Sequence, residues 1–272
     1  MGVVKVILVG CSEPSGENYP VQVLIILSSP TFDSLSVNSE NCVIRKMEQN
    51  VKTQIYTMQS VDEAQAVISK GVDRIGITPS EMGLPGEVDI PTAQAIVKAV
   101  GDSAVCVALS VEADLDVIES MAQAVRPDIL HLCGLEKTLL PEGVRALRER
   151  LPGLPIMQAI SVTGPDAIDV ALAYEEVADY LILDTQSPDI AGIGASGETH
   201  DWNISRDIVL HTKIPVILAG GLSPENVAKA INIVQPWGVD SLTHTNRLLP
   251  DGGFQKDLDL VAQFVAAAKG EF

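Results

Sequence analysis

No apolar run in the 272 residues reaches the ~20 needed to cross a bilayer, and the longest near the N-terminus is only Val23–Leu27. Leu8-Val-Gly-Cys11 has the look of a lipoprotein box, but the segment before it is short and Lys5 interrupts it. Gly2 is followed by Val6 where an acylation signal wants Ser or Thr. No membrane partner is expected. Basic residues are scarce: 18 against 36 acidic ones leave a net charge of −18, which repels a phosphate backbone and sets nucleic acid aside as a partner. Cysteine is sparse too. Cys11, Cys42, Cys106 and Cys133 form no C-x-x-C pair and no zinc-like spacing, so a reduced, cytoplasmic setting is expected rather than a disulfide framework. H-E-x-x-H, a P-loop and a G-x-G-x-x-G after a first strand are missing, and neither a cofactor nor a metal is expected.

Apolar residues, by contrast, make up 46% of the chain, enough for a full core. From Val51 onward short apolar runs alternate with helical periodicity, the βαβ signature of a parallel sheet. The expected strands are Thr53–Thr57, Val72–Thr78, Ala104–Val111, Ile129–Cys133, Pro155–Val162, Tyr180–Thr185, Pro215–Ala219 and Gly238–Leu242, with a last helix over Gln255–Ala268. Eight such units imply a (β/α)8 TIM barrel over residues 47–272.

Residues 1–46 read as an N-terminal β-rich extension, with strands at Val3–Gly10 and Val21–Leu27. A hairpin packed on the barrel, a dimerisation arm or a stretch upstream of the natural start all fit it. The assembly is expected to be a monomer or a homodimer.

Right-handed connections bring the strands' C-terminal ends to one face, where chemistry gathers in this architecture. There Tyr180-Leu-Ile-Leu-Asp184-Thr185 ends a strand in a carboxylate. Gly192-Ile-Gly-Ala-Ser-Gly197-Glu-Thr-His-Asp-Trp202 follows as a glycine-rich loop, with Asp201 placed to cap the next helix. Alternation along strands puts Tyr180, Ile182 and Asp184 on one face, Gln54 with Tyr56, and His131 with Cys133.

The stretch from Tyr180 to Trp202 resembles the sixth strand and loop of the phosphoribosylanthranilate isomerase family, L-L-D-T and then G-G-[ST]-G-K-T-F-D-W. Pro215-Val-Ile-Leu-Ala-Gly220-Gly221-Leu-Ser-Pro-Glu-Asn226-Val is similar to its seventh strand and helix start, and a weaker likeness runs from about Val51 to Lys269. The resemblance implies isomerisation of a small phosphorylated sugar or aminosugar through an enol or enolamine, with Asp184 as the general acid at the ring oxygen. It implies a phosphate cradle at Gly194, Ser196, Gly197, Gly220 and Gly221, completed by Thr243 and His244. It also implies that Gln54, Gln158 and His200 lie beside the substrate.

The departures from the family pattern concern function. The family's K-I-C-G-[IL]-T, whose cysteine removes the proton from C2, aligns with Gln54-Ile-Tyr56-Thr57-Met-Gln59. A free phenol titrates near ~10 and makes a poor base at neutral pH. Tyr56, His131 and Cys133 therefore stand as alternative second proton-transfer groups. His244 replaces a glycine of the family's S-S-G-V-E, and Glu198 replaces the lysine of G-K-T. Thr78–Asp89 holds no Arg or Lys where the family carries the arginine suited to the anthranilate carboxylate. No interior lysine is expected on the second to eighth strands, which argues against a Schiff-base aldolase. A non-catalytic barrel binding a phosphorylated metabolite or a partner fits the same losses.

Overall fold

The computed structural model describes residues 5–9, 23–27, 51–134, 139–185, 193, 197 and 199–270. Contacts divide the chain into two compact units, Met1–Met47 and Glu48–Phe272. In the first, β1 (Lys5–Val9) and β2 (Val23–Leu27) pair antiparallel, with Lys5 opposite Leu27 and Val9 opposite Val23.

In the second, eight parallel strands close on themselves: β3 (Lys52–Ile55), β4 (Arg74–Ile77), β5 (Val105–Ser110), β6 (Ile129–Leu132), β7 (Ile156–Ser161), β8 (Tyr180–Asp184), β9 (Val216–Leu218) and β10 (Gly238–Ser241). The ring is sealed by β10 pairing with β3, Asp240 opposite Gln54. Helices α1 (Val61–Ile68), α2 (Ile90–Val100), α3 (Leu115–Val125), α4 (Pro141–Arg150), α5 (Ala167–Glu175), α6 (Trp202–His211), α7 (Val227–Val234) and α8 (Leu258–Lys269) alternate with them. This is a (β/α)8 TIM barrel. Among the described residues no helix is long and apolar enough to cross a membrane.

Alternation along each strand builds two cores. On β7, Ile156 and Ile160 join the layer between strands and helices, whereas Met157 and Ala159 join a cluster inside the barrel with Val107, Ile182 and Ile217. Helices start where the sequence supplies acceptors: Ser60 takes a bond from Glu63 N–H and Asp201 from Asn203 N–H.

The barrel floor, at the strands' N-terminal ends, is filled. The Arg74 guanidinium lies 4.5 Å from the Tyr180 ring centre and 4.4 Å from that of Trp237. Beside it, Asp73 accepts bonds from Thr53 N–H and Lys52 Nζ, each at 3.0 Å.

Strand ends fall short of the expected ones, although Tyr56 and Cys133, just past β3 and β6, still donate backbone bonds to the Ser241 and Ser110 carbonyls; with Thr57 they line the mouth. The last helix starts at Leu258 rather than Gln255. Before it, β11 (Asn246–Leu248) and β12 (Phe254–Lys256) form an antiparallel hairpin that follows a single 3-10 turn over Thr243–Thr245. Asp257 sets the start of α8 by accepting bonds from Asp259 and Leu260 N–H.

Candidate active site

Tyr56, His131, Cys133, Asp184 and Asp240 line one cavity at the barrel mouth, about 600 Å³ counted to its opening. Tyr56 follows β3, and its ring lies over Gly76 of β4, where a Cβ atom would sit 2.1 Å from the ring. Its hydroxyl is 2.9 Å from His131 Nδ1. Burial, reinforced by Asp240, pushes the phenol well above its ordinary value. Burial also drops His131 to about 3, so the imidazole is neutral, and its Nε2 has no hydrogen-bond partner among the described residues. The Cys133 thiol donates to the Ile193 carbonyl at 2.7 Å, and burial with the nearby Asp184 pushes it up to about 12. At neutral pH all three side chains are uncharged.

Asp184 ends β8 with Oδ1 accepting from Thr185 N–H at 2.7 Å, and burial raises its carboxyl to about 7. It also belongs to a second, smaller cavity of about 280 Å³ that opens beside the first. Gly197, Gly220, Gly221, Thr243 and His244 surround that space. Gly220 has φ +78°, and a Cβ there would come within 2.9 Å of Thr185 Oγ1 and 3.2 Å of Asp184 Oδ1. Only glycine lets this backbone pass so close to the carboxyl. His244 Nε2 donates to the Gly197 carbonyl at 3.1 Å, tying the turn after β10 to the loop after β8. Gly194, Ser196 and Glu198 lie outside the described residues.

The remaining expected contacts divide. Gln54 faces inward and donates from Nε2 to Asp240 Oδ1 at 3.1 Å. Gln158 sits between Ile156 and Ile160 on the outer face of β7 and lines another cavity with Leu139, Pro141 and Tyr174, which meets the mouth cavity only at Ile193. His200 lines neither mouth cavity: Nδ1 is 3.2 Å from Thr185 Oγ1 and Nε2 is 2.7 Å from Ser205 Oγ, and burial lowers it to about 4. Among the described residues no cluster of His, Cys, Asp or Glu is arranged to hold a metal ion.

Two groups escaped the sequence reading. Asp240 was legible in Gly238-Val-Asp-Ser-Leu242, where alternation places it with Leu242 on the inner face; burial, then the charge of Asp184, lifts it to about 8. Lys256 reaches the barrel from the hairpin rather than from a barrel strand. Its Nζ donates to the Tyr56 carbonyl and to Asn246 Oδ1, and burial lowers it to about 7.

The loop after β4 turns its acid inward on itself. Glu87 accepts from Met82, Gly83 and Leu84 N–H at 3.0, 2.9 and 2.9 Å, so it presents its neighbours Leu84 and Pro85 to the mouth.

The model of the family described as N-(5'-phosphoribosyl)anthranilate (PRA) isomerase matches residues 53–267. The chain belongs to this family of intramolecular isomerases. The N-(5'-phosphoribosyl)anthranilate isomerase of Rhodopseudomonas palustris is 33% identical over 218 residues, 79% of this chain and 96% of that protein. The Thermotoga maritima phosphoribosyl anthranilate isomerase shares the fold, with a TM-score of 0.67 at 24% identity over 81% of this chain and 99% of that one. A phosphoribosyl anthranilate isomerase solved with reduced 1-(o-carboxyphenylamino)-1-deoxyribulose 5-phosphate is 25% identical, with a TM-score of 0.64 over 81% of this chain and 99% of that one. In this chain Tyr56 follows β3 and packs over Gly76, and the loop from Thr78 to Asp89 carries no Arg or Lys.

Proposed function

We propose that the chain isomerises a small phosphorylated aminosugar, with Asp184 as the general acid and its phosphate in the glycine-lined cavity. One observation carries this reading: the part-buried Asp184 lies, with Asp240, on the wall shared by the mouth and the cradle, and desolvation raises its carboxyl to about 7. A proton donor is most effective when its pKa lies close to the working pH. A substrate phosphate held by the backbone of Gly220 and Gly221 would set its ring oxygen against that carboxyl. The opposite wall, with Leu84, Pro85, Leu109 and Val111, suits an apolar substituent on the sugar nitrogen.

A second reading, a binding barrel without catalysis, draws on a different observation. The groups at or near the position of the family's base are each bonded to a neighbour: Tyr56 to His131, and Cys133 to Ile193. The loss of phosphoribosylanthranilate fluorescence with the purified full chain separates the two. Turnover that falls ~10³-fold in Asp184→Asn supports the isomerase. No turnover by folded protein, on this substrate or on phosphoribosylamines bearing uncharged aryl groups, leaves the binder.

A further inference from the structure

We propose that Asp240 is the base that removes the C2 proton, so that two carboxyls on β8 and β10 supply both halves of the proton transfer; this rests on the isomerase reading above. Asp240 and Asp184 line both the mouth and the phosphate cradle, and β9 alone separates their strands. Two interstrand spacings place their backbones about 10 Å apart, so the side chains approach a small molecule between them from opposite sides. The ring oxygen and C2 of a ribosylamine are both bonded to C1. An acid and a base acting on those two atoms must stand in that relation.

The surroundings of the two carboxyls assign the roles. Asp240 accepts from the Gln54 amide at 3.1 Å, and Lys256 on β12 is a cation that favours its anion. Asp184 has the Thr185 N–H and, among the described residues, no cation acting on it. Part of what lifts Asp240 is the charge of an ionised Asp184; when Asp184 keeps its proton, that repulsion is gone and Asp240 ionises more readily. Of the other groups in the cavity, the Tyr56 phenol and the Cys133 thiol both hold their protons far above neutral pH.

The reaction balances without a co-reactant. Asp184 gives its proton to the ring oxygen, the C1–O bond breaks toward that oxygen, and the nitrogen lone pair forms a C1=N bond. The Asp240 carboxylate takes the C2 proton; the C2–H electron pair becomes C1=C2 and the C1=N pair returns to nitrogen. Asp240 then hands its proton to C1 as the C2 hydroxyl passes its own to Asp184, leaving the ketone and both carboxyls as they began.

The test uses the full chain, phosphoribosylanthranilate and N-aryl phosphoribosylamines as probe substrates, and reduced 1-(o-carboxyphenylamino)-1-deoxyribulose 5-phosphate as a binding probe. Asp240→Asn keeps an oxygen for the Gln54 amide, so the fold should stand. The expected result is a ~10³-fold loss in kcat and partial recovery in Asp240→Glu, with binding of the probe changed by less than about fivefold. Turnover by Asp240→Asn within about threefold of the unaltered chain, while Asp184→Asn is inactive, overturns the assignment and spares the isomerase reading. An unaltered chain inactive on every probe overturns both.

Discussion

The two ends of the barrel spend their buried charge in opposite ways. At the floor, Asp73 is paired with Lys52 and bonded to Thr53, while Arg74 is enclosed by two aromatic rings with its Nη1 lacking a hydrogen-bond partner among the described residues, so charge there is packed into the joints between strands. At the mouth, Asp240 is buried and Asp184 partly so, each with few donors, and desolvation raises both carboxyls toward neutral pH. Buried charge left incompletely paired is expensive to fold and useful for moving protons. The contrast separates a stabilising end from a reactive one on the same eight strands.

Removing a floor group should therefore unfold the protein without touching its chemistry. Arg74→Ala strips a side chain from between Tyr180 and Trp237 and should lower stability by about 3 kcal/mol, the scale for truncating a buried, ring-stacked side chain. Denaturant unfolding reads the loss, and the folded fraction should keep its kcat. A drop in kcat with no change in stability would erase the distinction between the ends.

Removing a mouth acid should do the reverse. The Asp184 carboxyl is raised in the fold, to about 7 from an ordinary 3.8, so between those pH values the unfolded chain loses this proton while the folded one keeps it. Stability contributed by this group is full below pH 3.8 and is lost as pH rises through about 7. Asp184→Asn should thus gain about 4 kcal/mol at pH 7 and under about 1 kcal/mol at pH 4, even as activity disappears. Melting curves of both proteins at the two pH values test the sign.

The smallest expected effect lies at the cradle. His244→Ala removes one exposed bond to the Gly197 carbonyl and should raise KM for a phosphorylated substrate roughly fivefold at unchanged kcat, about 1 kcal/mol of loop fastening. A change in kcat instead would extend the reactive end as far as the turn after β10.

How much of this was readable from sequence follows from the same physics. Strand periodicity and the two glycine motifs located all eight barrel strands to within a few residues, because local apolar alternation is what a parallel sheet buries. The pairing of Tyr56 with His131 joins residues 75 positions apart, and no local pattern marks it. Asp240 stood in plain view within an expected strand but lacked a motif to draw attention. Lys256 was hidden because a hairpin replaced the first turn of the expected final helix, and Gln158 was misplaced because alternation on β7 sends it to the helix layer.

The close approach of Tyr56 to Gly76 also makes the two positions unequal in what each tolerates at the other. A tyrosine placed this way at 56 is sterically admissible only opposite glycine. Once the ring is in place, every larger residue at 76 is shut out, while a smaller side chain at 56 remains possible. Position 76 is thereby committed to glycine for as long as the ring stands at 56, whereas position 56 carries no such commitment to tyrosine.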